Sequence, residues 1–297
     1  MPPSRLKTGN SAIDEMLGGG LLPGTLTVVL GSTGIGKTQL GIQFAQFGRQ
    51  QEGERGIVFD LTSRGDSQNH SDYAARQFGW QMTEQPVVDR IDPAVVWDAR
   101  MARRDYMHIF QQSGRRVTRS TTQQEDWKEW KVEFSRKLVQ AIAFFYGNFI
   151  HGVRRCVVDG VEPTDNPADS FQFYLFDYVY HQILRKESEW VARDLFRVQY
   201  RANADRVTQH AYNHADVGCL LLCTSHEVML DELLSRPLET GDVLSNAGTI
   251  ILMGRVREGN RMTRALHIAK HRGSAVDESI APFEITDDGI QLSAGQG

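Results

Sequence analysis

Residues 31–38, Gly31-Ser32-Thr33-Gly34-Ile35-Gly36-Lys37-Thr38, follow the pattern G-x-x-x-x-G-K-[ST]. Glycines at these intervals let backbone N–H groups wrap a polyphosphate, and a helix starting here adds the partial positive charge of its N-terminus. In that geometry the Lys37 ammonium reaches the terminal phosphates and the Thr38 hydroxyl takes a Mg²⁺ ion. The chemistry implied is binding of ATP with Mg²⁺. Gly31, Ser32, Thr33, Gly34, Ile35, Gly36, Lys37, Thr38 and the adjoining Gln39 form the phosphate-binding set. A metal held this way needs a second acid at the end of a buried strand. Asp159 closes the apolar run Arg155-Cys156-Val157-Val158-Asp159 and is the candidate Mg²⁺ ligand, through water. An aspartate capping the next helix would leave a similar trace.

These groups must be positioned by alternating strands and helices. Residues 25–30 form a short β-branched and aliphatic run that leads into the loop, and Leu40, Ile42, Phe44, Ala45 and Phe47 supply the apolar side of a following helix. Further strands are predicted at 56–61, 155–159 and 218–224, with an amphipathic helix over 127–150 whose face carries Val132, Leu138, Val139, Ile142 and Phe145. The chain has 297 residues, 40% hydrophobic and 24% charged, enough for a sizeable core without disulfide or metal staples. Because the motifs run in order from end to end, one enlarged domain over 1–297 is expected. A net charge of −4 argues against a surface wholly devoted to nucleic acid. No apolar run of about 18 residues predicts a membrane span, and the N-terminus lacks the apolar centre of an export signal. Cys156, Cys219 and Cys223 lie in strand-like runs without metal-ligand spacing, as buried reduced thiols of a cytoplasmic protein would.

Two flanking segments carry a resemblance. Leu6-Lys7-Thr8-Gly9 through Gly18-Gly19-Gly20-Leu21-Leu22-Pro23-Gly24 resembles the T-G-x-x-x-L-D-x-x-L-G-G-G-x-x-x-G stretch ahead of the phosphate loop in RecA-like ATPases. Ala265-Leu266-His267-Ile268-Ala269-Lys270-His271-Arg272-Gly273-Ser274, closing with Pro282-Phe283-Glu284-Ile285 and Gly289-Ile290, is similar to the K-x-R-G-[ST] … F-x-I-x-x-x-G-I ending of the KaiC-like branch. The resemblance implies an α/β fold, a mostly parallel sheet flanked by helices with a C-terminal antiparallel extension. It also implies a homo-oligomer, a hexameric ring or filament, with ATP between subunits. Carried over by motif, Lys270 and Arg272 would be the catalytic cations that reach the neighbour's γ-phosphate, alongside Lys37 and Asp159 within the subunit.

The pattern breaks after the second strand, where the family carries a glutamate that polarises the attacking water. Here the matching positions are Thr62 and Ser63, so slow hydrolysis is expected, with Asp60 or Asp66 as a substitute base. A nucleotide-dependent scaffold without catalysis is the first alternative; a RadA-like or RecA-like DNA-binding recombinase is the second. In RecA-like folds a polar residue at the strand end near Ser225 or His226 senses the γ-phosphate and moves the following loop, here 229–244. That loop carries Asp231, Glu232, Glu239 and Asp242 against Arg236 alone, which suits DNA poorly. Two stretches exceed what a compact domain needs. Residues 97–130 are read as a helical insertion packing Trp97, Tyr106, Phe110, Trp127 and Trp130 onto the core, or as a surface that meets a protein or nucleic-acid partner through residues such as Arg115, Arg116 and Arg119. Residues 169–215 read as one or two long helices, with Tyr174, Phe176, Tyr178, Tyr180 and Trp190 in core or subunit interface, and His210 and His214 as a helix-end pair rather than metal ligands.

Overall fold

The computed structural model describes residues 4–62, 70–86, 88, 92–110, 124–162, 171–236 and 243–292. Its centre is a sheet of nine strands among the described residues, in the order β3-β2-β4-β5-β1-β6-β7-β8-β9. Six strands run parallel: β3 (Tyr106–His108), β2 (Ile57–Asp60), β4 (Arg155–Val161), β5 (Gly218–Thr224), β1 (Leu26–Gly31) and β6 (Thr249–Glu258). Then β7 (Arg261–His271), β8 (Ala281–Thr286) and β9 (Gly289–Leu292) extend the sheet antiparallel.

The central strands are apolar at nearly every position because both faces are covered. Successive side chains alternate between faces, so Val28, Phe59, Val158 and Leu221 pack into one layer and Val29, Val58, Val157 and Leu222 into the other. The second layer is built by α1 (Ser11–Met16), α2 (Lys37–Gln51) and α3 (His70–Phe78). The first is built by α5 (Gln124–Ile150), α6 (Phe171–Val179), α7 (Ser188–Phe196) and α8 (Tyr200–Gln209), with the Phe59 ring 5.1 Å from that of Phe145. This is the architecture the resemblance implied.

Several local expectations need correction. Residues 97–130 are not a helical insertion throughout: a 3₁₀ turn (Pro93–Trp97) and the one-turn α4 (Ala99–Ala102) lead into β3, an edge strand of the main sheet. Parallel pairing with β2 outweighed helix propensity there. Within that stretch Trp97 and Phe110 pack against the core, while Arg115, Arg116, Arg119 and the side chains of Val132, Trp127 and Trp130 lie outside the described residues. Residues 169–215 hold three helices rather than one or two, because a π-helical turn (Tyr180–Leu184) ends the first and a 3₁₀ turn (Arg197–Gln199), with Arg197 at φ 47°, separates the others. Phe176 is buried, Tyr178 and Tyr180 are partly buried against the core, and Tyr174 and Trp190 are exposed. His210 caps α8 and its Nδ1 lies 3.0 Å from the Arg206 carbonyl, while His214 falls in a separate 3₁₀ turn. Among the described residues no cluster of three or more His, Cys, Asp or Glu could hold a metal. All three cysteines are buried and form no disulfide, and no described helix is long and apolar enough to cross a membrane.

Candidate functional site

The loop between β1 and α2 joins the end of a buried strand to a helix N-terminus. Gly34 and Gly36 have φ of +75° and +121°, left-handed values that other residues rarely adopt. A Cβ added at Gly34 would meet no atom within 4 Å, so its backbone faces open space where a ligand can approach. Helix α2 begins at Lys37 with Gly36 as a cap lacking any side-chain hydrogen bond, and no acid lies in its first turn to compete with an anion. Lys37 is buried and its Nζ donates to the carbonyls of Gly31 and Ser32, each at 2.9 Å. Burial lowers the Lys37 pKa, against the opposing charge of Asp159. Ile35, Gly36 and Thr38 are buried, Gln39 is half-buried, and Thr33 and Gly34 are exposed.

Asp159 comes to this loop from β4, two strands along the sheet from the edge strand β3 and two from β1. The Thr38 hydroxyl donates to its Oδ2 at 2.8 Å. Contrary to the expectation that Asp159 ends its strand, β4 runs on to Val161, and a register shift between Val158 and Val161 forms a bulge around Asp159 and Gly160. A bulge of this kind re-aims a side chain. Asp159 is not a helix cap, since β4 runs through it to Val161.

The sequence reading did not single out His70, the first residue of α3. It is 2% exposed, and its Nε2 lies 2.9 Å from Asp159 Oδ2 while its Nδ1 lies 3.5 Å from Asp60 Oδ2. Asp60 pairs in register with Asp159 on the neighbouring strand. It also accepts the Tyr106 hydroxyl at 2.6 Å and the Thr62 backbone N–H at 2.8 Å. Tyr106, expected as a core-packing residue, is partly buried against the core, and its hydroxyl also supports this network. Burial and the Asp60 carboxylate push its phenol pKa far up, so it stays a donor. Burial alone would raise the Asp159 pKa; the His70 hydrogen bond and charge, the Thr38 hydroxyl and Lys37 together bring it below the usual carboxylate value. Thr62, just after β2, is buried, and its hydroxyl has no partner among the described residues. Ser63 and Asp66 lie outside the described residues. Nothing in spacing relates residues 60, 70, 106 and 159; adjacency of β3, β2 and β4 brings them together.

Lys270 and Arg272 lie elsewhere. Thr249 pairs with Thr27 at the start of β1 and with His271 on β7, whereas Gly31, at the phosphate loop, pairs with Met253. Four residues of strand separate the two levels, about 13 Å at the usual rise. The Lys270 Nζ donates to the carbonyls of Leu244 (3.4 Å) and Ser245 (3.2 Å), and Arg272 donates to Ser245 (3.4 Å), all on the short α10 (Val243–Asn246). Burial and the charge of Arg272 lower the Lys270 pKa. Between them His271 is fixed by Arg5, whose NH1 donates to His271 Nε2 (3.0 Å), which leaves Nδ1 to donate to Thr249 Oγ1 (2.8 Å). At the end of β5, Ser225 is buried and its hydroxyl donates to Glu227, while His226 is exposed. The stretch 229–244 is partly helical: α9 (Leu230–Ser235) carries Asp231 and Glu232, and residues 237–242, with Glu239 and Asp242, lie outside the described residues.

The family model described as "ATPase: KaiC" matches residues 6–180, more than half of the chain. No curated protein matches the sequence. Among solved structures, a KaiC-like protein of the hyperthermophilic archaeon Pyrococcus horikoshii OT3 superposes with a TM-score of 0.53 at 17% identity, over 99% of this chain and 100% of the other. At that identity the likeness speaks for the fold alone.

Proposed function

From the premise that the chain belongs to the KaiC family of nucleotide-binding ATPases, we propose that it binds ATP with Mg²⁺ on the 31–38 loop, hydrolyses it slowly, and assembles with nucleotide at subunit interfaces. The observation that carries this reading is the Thr38 hydroxyl donating to Asp159 at 2.8 Å beside Lys37. A hydroxyl whose proton goes to a carboxylate turns its oxygen toward a cation, which suits Mg²⁺ held by Thr38 directly and by Asp159 through water. Bound Mg²⁺ would neutralise charge on the phosphates. Lys37 would leave the loop carbonyls to bind them, and the N–H groups of the loop and of the start of α2 would orient them.

The slow rate follows from Thr62: no carboxylate stands directly after β2, and Asp60 is engaged by Tyr106 and Thr62. The same observation favours a second reading, a scaffold that holds ATP without turning it over. The interface reading is supported by the level of Lys270 and Arg272, about 13 Å of strand away from their own phosphate loop, so that their γ-phosphate would belong to a neighbour. Light scattering with and without ATP, on the parent, Lys37→Ala and Arg272→Ala, tests assembly. Growth in size with ATP that both substitutions abolish is expected; assembly indifferent to nucleotide and to both substitutions defeats the interface model. Phosphate release in the same samples separates slow ATPase from scaffold.

A further inference from the structure

A row of polar groups, buried except for the partly buried Tyr106, runs Tyr106–Asp60–His70–Asp159–Thr38, with neighbouring polar atoms 2.6, 3.5, 2.9 and 2.8 Å apart. Its middle member is unusual. An imidazole 2% exposed between two carboxylates carries a desolvation cost that an apolar residue at the start of α3 would avoid. An ionised carboxylate only accepts hydrogen bonds, so the contact with Asp159 puts a proton on His70 Nε2. Asp159 Oδ2 thus receives two donors, one from Thr38 on α2 and one from His70 on α3, beside its strand partner Asp60. On the far side of the imidazole, Asp60 is held by the Tyr106 hydroxyl from β3 and by the Thr62 N–H.

We infer that His70 is a positioning residue of the nucleotide site: packed beside the Tyr106 ring, with Nδ1 3.5 Å from the Asp60 carboxylate, its imidazole sets the orientation in which the Asp159 carboxylate serves the cation that Thr38 binds. The inference rests on the ATP and Mg²⁺ reading above and adds to it a support reaching from the edge strand β3 to the metal acid. Hydrogen-bonded partners behind a metal-serving carboxylate commonly govern affinity for the metal more than for the rest of the ligand.

The test compares dissociation constants of a fluorescent N-methylanthraniloyl ATP with Mg²⁺ and with EDTA, on the full chain. The ratio of the two is the advantage conferred by Mg²⁺. For His70→Ala this advantage is expected to fall about 10-fold, as for other supports of metal ligands, while the affinity in EDTA stays within about 2-fold because Lys37 and the loop are untouched. His70→Gln, whose amide keeps a donor near the Nε2 position, restores most of the advantage. Tyr106→Phe, which removes one hydroxyl, lowers it less and in the same direction, and decides the matter if His70→Ala does not fold. An advantage unchanged in folded His70→Ala, or in Tyr106→Phe when the former is unfolded, overturns the inference and leaves ATP binding intact. Parent protein that binds the probe in neither condition overturns the proposed function itself. Parent binding that ignores Mg²⁺ overturns the inference and the metal reading together.

Discussion

Arg155 offers the sharpest test of how the site's two halves are held in register. It opens β4, four residues before Asp159, and its side chain is fully buried. Its guanidinium donates through Nε to Glu52 Oε2 (2.7 Å), through NH1 to the carbonyls of Lys7 (2.6 Å) and Phe44 (2.8 Å), and through NH2 to Gln51 Oε1 (2.7 Å) and Glu52 Oε1 (2.9 Å). The ring of Phe44 lies 4.7 Å from its Cζ. The C-terminal part of α2, whose first turn carries Lys37 and Thr38, is thereby tied to the strand that carries Asp159. Arg155→Met keeps apolar volume but leaves the Glu52 carboxylate, 15% exposed, without its counter-ion. Removing one partner of a buried pair costs about 3–5 kcal/mol, against a total stability of roughly 5–15 kcal/mol. The midpoint of urea unfolding followed by far-UV circular dichroism should fall accordingly, with the slope unchanged, and the melting temperature should drop by about 10 °C. Arg155→Met combined with Glu52→Gln should regain about 1–2 kcal/mol over the single variant, because the stranded charge is gone. A single variant within about 1 kcal/mol of the parent, or a double variant whose loss equals the sum of the two singles, would refute the account of Arg155 as a buried ionic tie.

Two further outcomes follow from the same geometry. Gly160 has φ +96°, and a Cβ there would stand 2.4 Å from the Thr62 backbone nitrogen; Gly160→Ala should therefore cost about 2–3 kcal/mol in urea unfolding through strain and displacement, and should weaken the Mg²⁺-dependent part of nucleotide binding by moving Asp159. His271 has its pKa lowered from 6.5 by burial and by Arg5. A lowered folded pKa means the unfolded chain binds more protons, so this contribution is complete above pH 6.5 and is lost as pH falls below it toward the folded value; the melting temperature of the parent should decline over that acidic window more steeply than that of His271→Gln, and equal slopes would contradict the assignment.

Much of the molecule is encoded contiguously and so is legible in the chain itself. The Gly31–Thr38 motif is eight consecutive residues between a β-branched run and an amphipathic one, and Gly34 and Gly36 within it take the positive φ that glycine tolerates. Unbroken apolar runs at β1, β4 and β5 already imply strands covered on both faces, because alternation disappears when neither face meets water. Strand ends were less legible: β4 passes through Asp159 by a bulge set by pairing with β5, and Gly160, with φ +96°, is the local trace of it. Residues 106–108 became an edge strand because β2 offered a partner. The support behind Asp159 is a matter of tertiary structure alone. Asp60, His70 and Tyr106 come from two strands and a helix, and only the order β3-β2-β4 sets them side by side. Likewise the K-x-R-G motif could be read in the chain, but its level on the sheet depends on the register of β6 on β1 and of β7 on β6. Local steric preference is written residue by residue; strand order and register arise from burying two apolar faces at once, and that is what decides which polar groups meet.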